Sequence, residues 1–105
     1  MSRQTEKTSD VGVLERDKPK LKKPQKYKVV FLNDDYTPMQ FVVDLLVKLF
    51  HHSPSAATQI MLHVHEKGRG IAGVYTRDIA ETKVVQVAQS AHQSGHPLKA
   101  ICEPE

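Results

Sequence analysis

The run Asp17-Lys-Pro-Lys-Leu-Lys-Lys-Pro-Gln-Lys26 stops at Tyr27, where Tyr-Lys-Val-Val-Phe-Leu32 begins. No other feature limits the fold of this chain so tightly. A polar segment of lysines and prolines has no face to bury and is expected to remain a disordered extension. The 105 residues therefore divide into a basic extension, 1–26, and a single domain, 27–105, that must supply the whole core. With six aromatic residues and no Trp, that core must be mainly aliphatic.

Local patterns within the domain give its elements. Tyr27–Leu32 is β-branched and aromatic and ends at the turn-forming Asn33-Asp34-Asp35, which reads as a strand. Thr37-Pro38-Met39-Gln40 reads as a helix start, with Thr37 as cap, Pro38 at the first helical position and Gln40 completing a capping box. Apolar residues at 39, 42, 43, 46, 49 and 50 then mark one helical face. Ser53-Pro54 repeats the cap-plus-proline signal, and the stripe Ala57, Ile60, Met61 and Val64 runs to a stop at Gly68. Gly70–Tyr75 reads as a glycine-weakened second strand. Thr76 can cap a third helix, with apolar positions at 80, 84, 87, 88 and 91 and an end at Gly95. Leu98–Cys102 gives a last strand after Pro97. The order β-α-α-β-α-β predicts a two-layer α+β domain, with three helices over a three-stranded antiparallel or mixed sheet whose strand order is not readable.

Charge and composition remove several classes of function. The formal charge of +3 splits into +4 for residues 1–26 and −1 for the remainder, so the domain itself is nearly neutral. A nucleic-acid-binding domain usually carries its positive charge on the folded surface. A nucleic-acid- or ribosome-associated module acting through the basic extension is the alternative reading. One cysteine, Cys102, rules out an internal disulfide and is expected to be a buried strand residue. His63 and His65 lie about 200° apart around a helix and cannot pinch one ion, and no ligand spacing typical of zinc is present. No metal or cofactor is expected. Ser53 and Ser55 occupy a capping context rather than a nucleophile turn, which argues against a hydrolase. Without a signal-like leader or a membrane-length apolar run, a soluble cytoplasmic protein is expected.

A binding site survives these exclusions. Asn33, the two acids and His65 can converge beside an apolar floor from Met39, Val42, Met61 and Val64, with methionine giving an adaptable lining. The run Tyr27-Lys-Val-Val-Phe-Leu-Asn-Asp-Asp-Tyr-Thr-Pro-Met-Gln-Phe-Val42 resembles the signature of the ClpS family, adaptors of the bacterial Clp protease. The stretches Ala57–His65, Gly73–Thr76, Ala80–Val84 and His96-Pro97-Leu98 extend the likeness, in order, from about Tyr27 to Cys102.

The resemblance implies a fold in agreement with the pattern and an activity without catalysis. Such adaptors capture proteins that begin with Leu, Phe, Tyr or Trp and hand them to the AAA+ unfoldase ClpA. It implies α-amino ligands at Asn33, Asp34 or Asp35, and His65, and a side-chain slot of Leu32, Thr37, Met39, Val42, Met61, Val64 and Leu98. It also implies docking of the ClpA N-terminal domain on Asp78, Glu81, Thr82 and Lys83, Asp78 standing where the family often has Glu. The adaptor is expected to act as a monomer, with the extension assisting delivery. A free N-terminus is an ammonium with three donors, so amide oxygen, carboxylate and neutral imidazole form a suitable tripod of acceptors.

Overall fold

The computed structural model describes residues 24–105; the expected extension lies outside the described residues except for Pro24, Gln25 and Lys26. Six elements follow in the order β1 (Lys26–Leu32), α1 (Met39–Lys48), α2 (Pro54–Lys67), β2 (Arg69–Thr76), α3 (Arg77–Gln93) and β3 (Lys99–Pro104). The sheet has the order β2-β1-β3, with both pairings antiparallel. β1 takes the centre because Val29, Val30 and Phe31 are all fully buried, a continuous apolar run suited to a strand covered on every side. Val29 and Phe31 face the helices, whereas Val30 is flanked in register by Ile71 and Ile101.

The helices close over one sheet face. Val42, Leu45, Leu46 and Phe50 of the α1 region meet Ala57, Met61 and Val64 of α2 and Ala80, Val87 and Ala91 of α3. Phe31 and Phe50 stack edge-on at 5.4 Å between ring centroids. Leu45 belongs to this core although the expected stripe omitted it, while Ala88 is exposed. Cys102 is half-buried rather than fully buried, because β3 is an edge strand. The last strand begins one residue later than expected, leaving Leu98 buried in the preceding loop.

The helix starts differ in mechanism. At α2, Ser53 accepts from the Ala56 amide at 3.2 Å, Pro54 opens the helix, and Gly68 closes it with φ of 89°, as the pattern anticipates. At α1 the expected capping box does not form. Pro38 occupies the cap position without a side-chain hydrogen bond, and the Gln40 amide donates instead to Asp44 at 2.9 Å. The Thr37 hydroxyl donates to Asp34 Oδ2 at 2.8 Å and the Thr37 amide to Asp34 Oδ1 at 2.7 Å, so Thr37 is held in the preceding turn and the helix starts one residue later. Thr76 stands at the cap position of α3 but makes no cap hydrogen bond.

Candidate functional site

Residues 33–38 connect the central strand to α1, and their conformation follows from one carboxylate. Asp34 Oδ1 accepts from the Tyr36 amide at 2.8 Å and the Thr37 amide at 2.7 Å, while Oδ2 holds the Thr37 hydroxyl. This is an Asx-type turn in which the side chain replaces backbone partners. Burial pushes the Asp34 carboxyl up, but the Thr37 hydroxyl, the two amides and nearby His96 outweigh it and hold the group below its ordinary 3.8. Asp35, one residue later, is exposed and has no hydrogen bond or ion pair among the described residues.

A second anchor joins this turn to α2. The Asn33 amide donates to the Gly68 carbonyl at 2.9 Å, and the Gly68 amide donates to the Val64 carbonyl at 2.9 Å. The turn bearing the acids is thereby fixed against the helix end that carries Val64 and His65. Carbonyls at a helix C-terminus bear partial negative charge, so this end favours a cation.

Between these elements lies a recess of about 170 Å³ lined by all eleven residues expected of it. Val42, Met61, Val64 and Leu98 are buried and form its floor. Leu32 and Thr37 are half-buried, and Met39 stands at the mouth with 46% exposure. Asn33, Asp35 and His65 are exposed at the polar rim. An apolar cavity of about 150 Å³ holds a benzene ring, so this recess has room for one bulky side chain. Leu98 is held by the loop from α3, where the His96 amide donates to the Ala91 carbonyl and its ring packs edge-on against Phe41 at 4.6 Å. Pattern reading gave no separate role to His96; its only signal was the quoted His-Pro-Leu run. Among the described residues no three His, Cys, Asp or Glu side chains group as a metal site would require.

The four residues assigned to a docking face do not all meet. Asp78, Glu81 and Thr82 share a shallow exposed patch with Val85, next to the exposed Ile79. Arg77 pairs with Glu81 at 3.2 Å, and the Thr82 hydroxyl donates to the Asp78 carbonyl at 3.0 Å. Lys83 turns away, donating to the Leu49 carbonyl and lying 5.8 Å from the Phe50 and Tyr75 ring centres.

The fold and recess together define a small binding module with an anionic rim over an apolar slot. Residues 22–101 match the family model described as ATP-dependent Clp protease adaptor protein ClpS. ATP-dependent Clp protease adapter proteins ClpS of Burkholderia mallei and Paraburkholderia xenovorans are 58% and 57% identical over 94 residues, covering 90% of each chain. A structure of Agrobacterium tumefaciens ClpS2 bound to L-phenylalaninamide superposes with a TM-score of 0.76 at 40% identity, covering 79% of this chain and 100% of that one. The chain belongs to the ClpS family of Clp protease adaptors. No helix among the described residues is long and apolar enough to cross a membrane.

Proposed function

We propose that this protein is a non-enzymatic adaptor that binds the free α-amino group and the bulky first side chain of client proteins. The clients begin with Leu, Phe, Tyr or Trp, and the adaptor delivers them to the unfoldase ClpA. The carrying observation is the juxtaposition of Asn33, Asp35 and His65, whose side chains make no hydrogen bond among the described residues, with an apolar recess sized for one side chain. The L-phenylalaninamide bound by the Agrobacterium relative has the same two parts, a free amine and an apolar ring.

Within this reading the two acids divide the work. Both oxygens of Asp34 are committed to the turn, so Asp34 positions, and Asp35 is the carboxylate that meets the ammonium. Asn33 offers its amide oxygen and His65 a neutral ring nitrogen. Each hydrogen bond to the charged amine contributes about 1.5–3 kcal/mol, and burial of the side chain about 1.5–3 kcal/mol. After ordering costs, affinity is roughly micromolar, about −8 kcal/mol. Neither half suffices alone, so recognition demands a free terminus and a large first residue together. Asp78, Glu81 and Thr82, with the adjoining apolar Val85, form the face that docks the ClpA N-terminal domain, and Lys83 braces its flank.

Fluorescence anisotropy with labelled peptides tests the reading. Peptides beginning with Phe or Leu are expected to saturate the protein at micromolar concentrations, and those beginning with Ser to bind negligibly. A labelled oligonucleotide bound in a strongly salt-sensitive manner, with no peptide captured, would favour the alternative reading instead.

A further inference from the structure

A second, larger groove of about 590 Å³ lies on the other side of α2. Ile60 and His63 form one wall, Arg69 and Ile71 of β2 the other, and Lys28 reaches in from β1. No carboxylate lines it, although acids outnumber Lys and Arg in residues 27–105 as a whole. Ile71 is 49% exposed, a large apolar side chain left open at a sheet edge.

The backbone of that edge is open too. The Asn33–Gly68 bond makes theirs a hydrogen-bonded pair, and alternation along an antiparallel ladder makes Phe31 and Gly70 the next one. The N–H and C=O groups of Arg69 and Ile71 therefore turn away from β1, and among the described residues they find no other backbone partner. One residue further, His52 Nε2 engages the Ala72 carbonyl, and the register shifts at a bulge. The open edge is thus confined to Arg69–Ile71, a length suited to a short added strand.

We propose that this groove captures an extended acidic segment of a partner polypeptide, which pairs with the β2 edge as a short fourth strand. An extended backbone can pair with the open groups of Arg69 and Ile71 in place of solvent. A branched apolar residue of the segment packs between Ile60 and Ile71, and its carboxylates engage Arg69 and Lys28. The protein's own Glu103, on the opposite edge strand β3, lies 2.6 Å from Arg69 and 3.9 Å from Lys28, which shows that the two cations can share one carboxylate. All three side chains are partly exposed, so the internal pair is weak and can be displaced. This site is separate from the amine-binding recess.

The test uses the full chain and a fluorescein-labelled peptide of alternating Glu and Val, acetylated and amidated so that its terminus offers no amine. Saturable binding is expected, with amide resonance shifts concentrated at Arg69 and Ile71. Arg69→Glu should weaken binding about tenfold or more, and Glu103→Gln should strengthen it about two- to fivefold by releasing the cations. Both variants should capture a Phe-initiated peptide as the parent does. Equal affinity for a Lys-Val peptide, weaker binding by Glu103→Gln, shifts confined to the β3 edge, or no saturable binding would each overturn the proposal. So would tighter binding of an oligonucleotide of equal charge.

Discussion

Asp34 and Asp35 are neighbours of identical chemistry, yet their surroundings assign them different tasks. Asp34→Ala removes acceptors from two amides and a hydroxyl, so it should lower thermal stability and peptide affinity together. Asp35→Asn should leave the melting temperature unchanged while weakening a Phe-initiated peptide by about 1.5–3 kcal/mol, roughly 10- to 100-fold. Melting curves and titrations on both variants separate the roles; equal affinity loss with equal destabilisation would erase the distinction. The depressed Asp34 carboxyl also has a pH consequence. Its contribution is present above the ordinary 3.8 and is lost as pH falls through the lowered folded value. Thr37→Val removes one source of the depression, so its acid unfolding should move to higher pH. Met39 stands exposed at the mouth, and in the proposed reading its thioether sets a shape limit, admitting Leu or a flat ring and crowding a side chain branched at Cβ. Val- and Ile-initiated peptides should bind about tenfold or more weakly than Leu, and Met39→Ala should narrow that gap. An unchanged Leu/Ile ratio would remove Met39 from the selection.

At the scale of elements, the two helix starts that read alike in sequence are held differently. Ser53→Ala should cost about 1 kcal/mol in urea unfolding, because its hydroxyl caps a helix amide. Thr76→Ala should cost only a few tenths, since Thr76 makes no such bond. Ser53 was legible because its hydroxyl accepts from the Ala56 amide, as the cap pattern anticipates, with the Ser55 hydroxyl only a longer contact at 3.4 Å. Thr37 was not, because Asp34 lies within reach and no local pattern ranks the two partners. The helices themselves were legible from period, and so was the identity of β1 as a strand. Strand order was not, because it depends on the crossovers made by the helices; the buried run Val29-Val30-Phe31 was the one local hint of a central strand. Gly70 illustrates a contact no pattern predicts. A Cβ there would stand 2.8 Å from Val64 Cγ2 and 3.3 Å from His63, so Gly70→Ala should destabilise by about 1–3 kcal/mol and displace the helix that lines the recess.

Taken whole, the molecule places the polar rim of Asn33, Asp35 and His65 and its apolar recess on a turn, a helix end and a loop that are remote in sequence and fixed to one small core. Three of the eleven residues around the recess, Leu32, Thr37 and Leu98, were nameable beforehand only through family resemblance. Residue pattern brought out the other eight, Asn33, the two acids, His65, Met39, Val42, Met61 and Val64, but Leu98 is 33 positions beyond His65, and no periodicity connects the two. The second groove escaped notice because its cations, Lys28 and Arg69, sit on different strands. A further consequence concerns the imidazole, which can accept from the amine only when neutral. His65→Ala should therefore weaken a Phe-initiated peptide about tenfold or more while leaving the melting temperature unchanged, and unaltered affinity would count against His65 as an acceptor. The most direct check is calorimetric titration of the full chain with L-phenylalaninamide and with its N-acetyl derivative. Saturable heat from the first and none from the second is the predicted result. Equal affinity for both would contradict the reading of the recess as an amine-recognising site.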